Sequence, residues 1–125
     1  MSEGTVAIIG ASSDRRKFGN KAVRAYRQQG WTVYPVNPSE ETVEDLKAYR
    51  SIRDVPRPLD RVSVYLPPPL GIKILPDIAA TGARDVFFNP GAESPELLEK
   101  AAALGINAIV ACSIVDVGTT PAEFP

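Results

Sequence analysis

Three junctions of one kind decide what this chain can fold into. Gly30, Gly82 and Gly105 each close a helical stretch and lead within one to three residues into the apolar runs 32–36, 85–88 and 106–111. Glycine just past a helix takes the left-handed cap conformation at little cost, so helix, glycine and strand in succession read as βαβ units with short connections. Ser94-Pro95-Glu96 supplies the matching start of a last helix, with an N-cap serine, a first-turn proline and an acid facing the helix dipole. The expected order is strand 5–9, helix 20–29, strand 32–36 and an irregular or briefly helical stretch 39–55. Strands 62–66, 85–88 and 106–111 then alternate with helices 70–81 and 94–104, and 119–125 reads as a loose tail. Pro76 falls inside the 70–81 helix, which is expected either to kink there or to begin its regular part there. Right-handed crossovers fold this pattern into one α/β domain over 1–125, a doubly wound parallel sheet of Rossmann-like type.

The ligand edge of such a sheet is the carboxyl end of its strands, and the first turn there is unusual. The apolar run 6–9 breaks into Gly10-Ala11-Ser12-Ser13-Asp14, then Arg15-Arg16-Lys17, before Phe18-Gly19-Asn20 opens a helix. A small-residue turn leaves backbone N–H groups free at the positive end of a helix dipole, which is how α/β proteins hold phosphate. Arg15, Arg16, Lys17, Lys21, Arg24 and Arg27 are six of the fourteen basic residues, and Asp14 is the only acid between Gly4 and Glu40. Arg24 and Arg27 have the spacing of a solvated helix face, whereas Arg15, Arg16, Lys17 and Lys21 lie where a phosphate would sit. A dinucleotide fingerprint needs G-x-G-x-x-G and, about twenty residues on, an acid ending the second strand. Here Gly10 and Gly19 have eight residues between them, and the second strand ends in Val36-Asn37-Pro38, with Glu40 and Glu41 beyond it. These residues leave two readings open, a phosphate seat or a tight turn that packs a helix on a sheet.

Composition removes several kinds of chemistry. The chain has no histidine and one cysteine, Cys112, which excludes an internal disulfide, a C-x-x-C pair, a cysteine-rich zinc site and triads built on imidazole. Only carboxylates, Lys, Tyr, Ser and Thr remain for catalysis. Cys112 reads as a small buried hydrophobe, Trp31, Tyr34 and Tyr65 as core packing, and Asp116 as a turn residue close to the ligand edge. A net charge of −1 and a pI of about 5.4 give no reason to expect nucleic acid or an acidic membrane as partner. Without an apolar run of about eighteen residues or signal-peptide features at Met1-Ser2-Glu3-Gly4, a soluble cytoplasmic protein is expected.

Four segments reach the ligand edge: 10–17, Val36-Asn37-Pro38, 66–69, and Phe88-Asn89-Pro90-Gly91. Together, V-A-I-I-G-A-S-S, V-Y-P-V-N-P, V-Y-L-P-P-P and N-P-G-A-E resemble the small stand-alone CoA-binding domain proteins. They are also similar to the CoA-binding domains of succinyl-CoA synthetase α subunits and ADP-forming acyl-CoA synthetases. The resemblance runs from Thr5 to about Val115. It implies that Ser12, Ser13, Asp14 and Arg15 hold the phosphates of CoA or an acyl-CoA, with Gly10 and Ala11 counted in the same cofactor-binding turn. It further implies that Val36, Asn37, Pro38, Leu66, Pro67 and Pro68 flank the nucleotide and pantetheine, and that Phe88, Asn89 and Pro90 close the site. Two departures stand out. The synthetase domains carry a lysine shortly after P-V-N-P where this chain has Glu40, so Arg15, Arg16, Lys17 or Lys21 must supply that contact; and it has neither the synthetases' phosphohistidine domain nor any histidine. The expectation is a CoA-binding domain without chemistry of its own. The alternatives are an NAD(P)-dependent oxidoreductase or other nucleotide enzyme, where Asn37 speaks against NAD and the basic loop leaves NADP open, and an interaction module whose partner carries synthetase domains.

Overall fold

β1 (Thr5–Ile9) is buried from Val6 to Ile9, as a strand covered on both faces must be. Its side chains alternate between two clusters. Val6 and Ile8 pack with Ala22, Val23 and Tyr26 of α1 (Phe18–Gln28). Ala7 and Ile9 pack with the opposite layer, where Leu75 and Ile78 belong to α2 (Pro68–Ala80) and Leu97 and Ala101 to α3 (Pro95–Ala103). The computed structural model describes residues 4–125. Along them β1 is followed by β2 (Thr32–Val36), a short pair β3 (Thr42–Val43) and β4 (Leu46–Lys47), then β5 (Arg61–Val64), β6 (Asp85–Phe88) and β7 (Ala108–Val110). The main sheet is entirely parallel, in the order β2-β1-β5-β6-β7. β2 is added on one side of β1 and β5 on the other, so the switch point, and the crevice it opens, lies above the carboxyl ends of β1 and β5.

The expected α/β doubly wound sheet is present, with differences that have local causes. α1 begins at Phe18, two residues earlier than expected, and β5 stops at Val64. α2 begins at Pro68, where a first-turn proline loses no helical hydrogen bond, and runs on through Pro76. Pro76 is exposed, at a shallow cavity it shares with Lys100, Ala103 and Leu104 at the end of α3. The stretch 39–55 is a hairpin followed by a 3-10 turn, Ile52–Asp54. Glu44 and Asp45 form its two-residue turn with φ of +49° and +65°, the left-handed pair that matches strand twist. Beyond the hairpin, Tyr49 pairs with the end of β2: its N–H donates to Pro35 O and its carbonyl accepts from Asn37 N–H, both at 2.9 Å. The 119–125 stretch, expected as a loose tail, lies against α1. Phe124 is buried, and Arg24 sits 5.7 Å from its ring centroid while donating to the carbonyls of Phe124 at 3.0 Å and Pro125 at 3.2 Å.

The amino edge of the sheet is closed by one arginine. Arg61 opens β5, places its guanidinium 4.9 Å from the Trp31 ring and 4.6 Å from the Phe87 ring, and pairs with Asp85 at 3.2 Å and Asp116 at 2.9 Å. Asp116 ends the four-residue helix α4 (Ser113–Asp116) and is thereby drawn to the edge opposite the one where a ligand is expected. Trp31 stacks edge-on against Tyr26, and Tyr34 against Tyr49, at 5.1 and 5.9 Å between centroids. Cys112 is half-buried beside the α1 cluster. Among the described residues no helix is long and apolar enough to cross a membrane, and no group of side chains has the makings of a metal site.

Candidate functional site

The site begins with two glycines that let a helix touch a strand end. A Cβ on Gly19 would lie 2.1 Å from the Gly10 carbonyl oxygen, and one on Gly10, at φ +89°, would lie 2.8 Å from the Tyr65 carbonyl oxygen. The first turn of α1 therefore rests on the end of β1, which in turn rests on the chain leaving β5. Lys17 is the N-cap of α1, with no side-chain cap and no acid in the first turn, so the positive end of the helix dipole is left for a ligand. Asn20, fully buried, fixes the loop from below: its amide donates to Ser12 O at 2.8 Å and to the Glu44 carboxylate at 3.0 Å.

Much of the loop is already engaged. Asp14 accepts from the Arg16 backbone N–H at 3.0 Å and from its side chain at 3.1 Å through both carboxylate oxygens; the Arg16 side-chain bond holds the Asp14 carboxyl at about 2. Arg15 pairs with Glu44 at 3.3 Å. Ser12 Oγ accepts from Asp14 N–H at 3.0 Å. Glu40 takes both donors of Ser13: its carboxylate accepts from Ser13 N–H at 2.7 Å and from the Ser13 hydroxyl. Asn37 directs it there, since Asn37 Oδ1 accepts from the Ser39 and Glu40 N–H groups at 2.7 and 3.1 Å while its amide donates to Ala11 O at 2.8 Å. Among the described residues, the N–H groups of Ser12 and Arg15 have no acceptor, and Lys17 has no ion pair. Lys21 lies 5.6 Å from the Phe18 ring centroid, one turn further on.

Beside the loop opens an apolar cavity of about 370 Å³, within the range of small-molecule sites. Ile9, Gly10, Val36, Asn37 and Pro38 form one side; Leu66, Leu70 and Ile74 form the other; Arg50, Ser51, Ile52 and Lys73 complete it. A second, smaller cavity of about 250 Å³ shares Leu66 with the first and is lined by Tyr65, Pro67, Pro90, Gly91 and Ala92. Gly10, Val36, Asn37, Pro38, Leu66, Pro67 and Pro90 thus come together in the lining of two adjoining cavities. Ala11 is buried beneath the loop, and Pro68 is the first residue of α2. Phe88 and Asn89 are near this edge but turned inward. Phe88 is wholly buried in the α2–α3 layer. Asn89 donates to Ser63 Oγ and Val64 O at 2.9 Å and accepts from Ser113 N–H at 2.9 Å, tying β5, β6 and the start of α4 together. Tyr65 reaches toward Ser113 Oγ at 3.4 Å, and burial pushes its phenol up to about 12.

Sequence reasoning missed Arg50, Lys73, Glu44 and the role of Asn20. Lys73 stands in the pattern Leu70, Lys73, Ile74, one helical face with a cation among apolar residues, which is a weak but readable signal. Arg50 owes its place to the pairing of Tyr49 with β2, which nothing in the local sequence announces.

Residues 4–118 match the model of the CoA binding domain. The chain belongs to this CoA-binding family. It is 33% identical over 84 residues to the α subunit of an ADP-forming acetate–CoA ligase II of Pyrococcus furiosus, covering 66% of this chain and 18% of that protein. It is 37% identical over 82 residues to an ADP-forming acetate–CoA ligase II of Archaeoglobus fulgidus, covering 64% of this chain and 12% of that protein. The chain therefore spans less than a fifth of either relative. A conserved hypothetical protein of Pyrococcus furiosus, of solved structure, superposes with a TM-score of 0.82 at 30% identity over 90% of this chain and 98% of its own length. In this chain the carboxylate of Glu40, from the segment after β2, reaches across to Ser13 N–H on the first loop.

Proposed function

We propose that this chain binds CoA or an acyl-CoA along the carboxyl edge of its sheet and performs no chemistry on it unaided. The observation that carries the reading is the continuity of an uncapped helix N-terminus, a basic small-residue loop and an apolar cavity, in a chain that matches the CoA binding domain over residues 4–118. The residues fit the group. The Ser12 and Arg15 N–H groups and Lys17 suit a diphosphate, the walls from Val36, Leu66, Leu70 and Ile74 suit a purine, and the smaller cavity beyond Leu66 suits a pantetheine arm. When bound, CoA would supply a thiol for carrying an acyl group; the chain's own part is to hold the nucleotide and orient the arm. For a diphosphate to reach Ser13 N–H, Glu40 must first leave it.

The relatives are ligases of which this chain spans 18% and 12%, so a partner carrying the remaining synthetase functions is part of the proposal. The decisive measurement is calorimetric titration of CoA into wild-type protein and Lys17→Ala. Arg15 and Arg16 are engaged with Glu44 and Asp14, whereas Lys17 is uncommitted, so its loss should weaken binding by about tenfold. Wild-type protein that binds no CoA overturns the reading, and a Lys17→Ala variant that binds CoA as wild type does overturns the placement of the diphosphate.

A further inference from the structure

We propose that Arg50 and Lys73 form a seat for a phosphate monoester carried on the ligand's ribose, the 3′-phosphate of CoA, so that the site distinguishes CoA from the same molecule lacking that group. The inference rests on the CoA reading above. Its first support is position. Tyr49 pairs backbone to backbone with Pro35 and Asn37, which puts Arg50 beside the end of β2, the place where a nucleotide-binding sheet reads the ribose. Lys73 faces the same cavity from α2, on the helical face that also presents Leu70 and Ile74.

The second support is charge. Both side chains belong to exposed residues, and neither takes part in any ion pair among the described residues, although Arg15, Arg16, Arg53, Arg61 and Arg84 all do. The cavity they share has no carboxylate in its lining; apart from Asn37 and Ser51 it is otherwise apolar or glycine. Two uncompensated cations at the rim of an apolar chamber suit a ligand with a flat apolar body and a doubly charged phosphate attached to it. The first loop already accounts for a diphosphate, so the second phosphate of CoA is the group left for Arg50 and Lys73. Arginine is the fitting residue, since its planar fork takes phosphate oxygens in pairs.

Calorimetry with CoA and dephospho-CoA, at one low ionic strength because exposed phosphate contacts are screened by salt, tests this. Wild-type protein should favour CoA at least about tenfold, and Arg50→Gln and Lys73→Gln should each draw that ratio toward one, most fully when combined. Thermal melts matching wild type would show that the variants are folded, as expected for exposed side chains. Equal wild-type affinities for CoA and dephospho-CoA overturn the seat and leave the CoA reading standing. A strong preference that survives both substitutions overturns the assignment to these residues. Binding of neither compound overturns both inferences, and tighter binding of NADP than of CoA assigns the seat to a ribose 2′-phosphate instead and overturns this one.

Discussion

Glu40 shows how one side chain can set the terms of a binding site. Its carboxylate sits on the Ser13 N–H and hydroxyl, donors that the proposed diphosphate would compete for. The exposed contact is worth little by itself, about 1 kcal/mol or less, but a carboxylate left beside a bound diphosphate adds like-charge repulsion. Glu40→Gln keeps the shape and removes the charge, so CoA affinity should rise about three- to tenfold. Calorimetry checks this, and a loss of affinity would mean that Glu40 supports the loop instead of competing for it. Asp14 is a different case. With its carboxyl held at about 2 by Arg16, it keeps its charge and its hold on Arg16 down to strongly acidic pH, and acts as the organiser of the turn. Which partner Asp14 and Glu40 each take depends on Arg16 geometry and on Asn37, which spacing alone does not reveal.

At the scale of elements, the contact of α1 with β1 is the part on which the site depends most. Gly19 lies within van der Waals reach of the Gly10 carbonyl, and a methyl group there would be 2.1 Å from it. Backbone atoms on both sides leave no flexible end to yield, so Gly19→Ala should cost about 1–3 kcal/mol of stability. It should also shift the loop enough to abolish measurable CoA binding. Urea unfolding and titration together test this; Gly19→Ala that unfolds at the wild-type urea midpoint would show that the helix can slide without penalty. This contact also explains what was legible in the sequence. The helix-glycine-strand junctions at Gly30, Gly82 and Gly105 announced the sheet because each depends on local cap chemistry. The hairpin around Glu44 and Asp45 was not legible, since two-residue strands carry no period and its turn uses none of the usual Asn-Gly chemistry. Its turn is held from outside, by Arg27 donating to Glu44 O at 2.7 Å and by Asn20 and Arg15 on the Glu44 carboxylate. Arg50 was hidden for the same reason, being brought to the cavity by the pairing of Tyr49 with β2.

For the whole molecule, the question is whether a site so placed could also do chemistry. General acid–base catalysis needs a group titrating near the working pH, and Asp14 and Tyr65 are moved away from it, to about 2 and about 12. The chain has no histidine, and Asn89, the one buried amide at this edge between β5 and β6, is consumed by Ser63, Val64 and Ser113. The Ser13 hydroxyl on this loop meets the Glu40 carboxylate, a pairing across twenty-seven positions that local spacing does not announce. A carboxylate alone is a weak activator of a serine hydroxyl, and under the proposed binding mode the same carboxylate leaves Ser13 when the diphosphate arrives. Purified chain incubated with acetyl-CoA or longer acyl-CoAs, with and without ADP and phosphate, should therefore release neither free thiol nor nucleotide above the uncatalysed rate. The decisive control is Ser13→Ala with Glu40→Gln. Turnover that disappears in these variants would make the pair a catalytic unit and end the binding-only reading. Absence of turnover in wild-type protein that still binds CoA leaves acyl transfer to whatever domains or partner complete the relatives' remaining length.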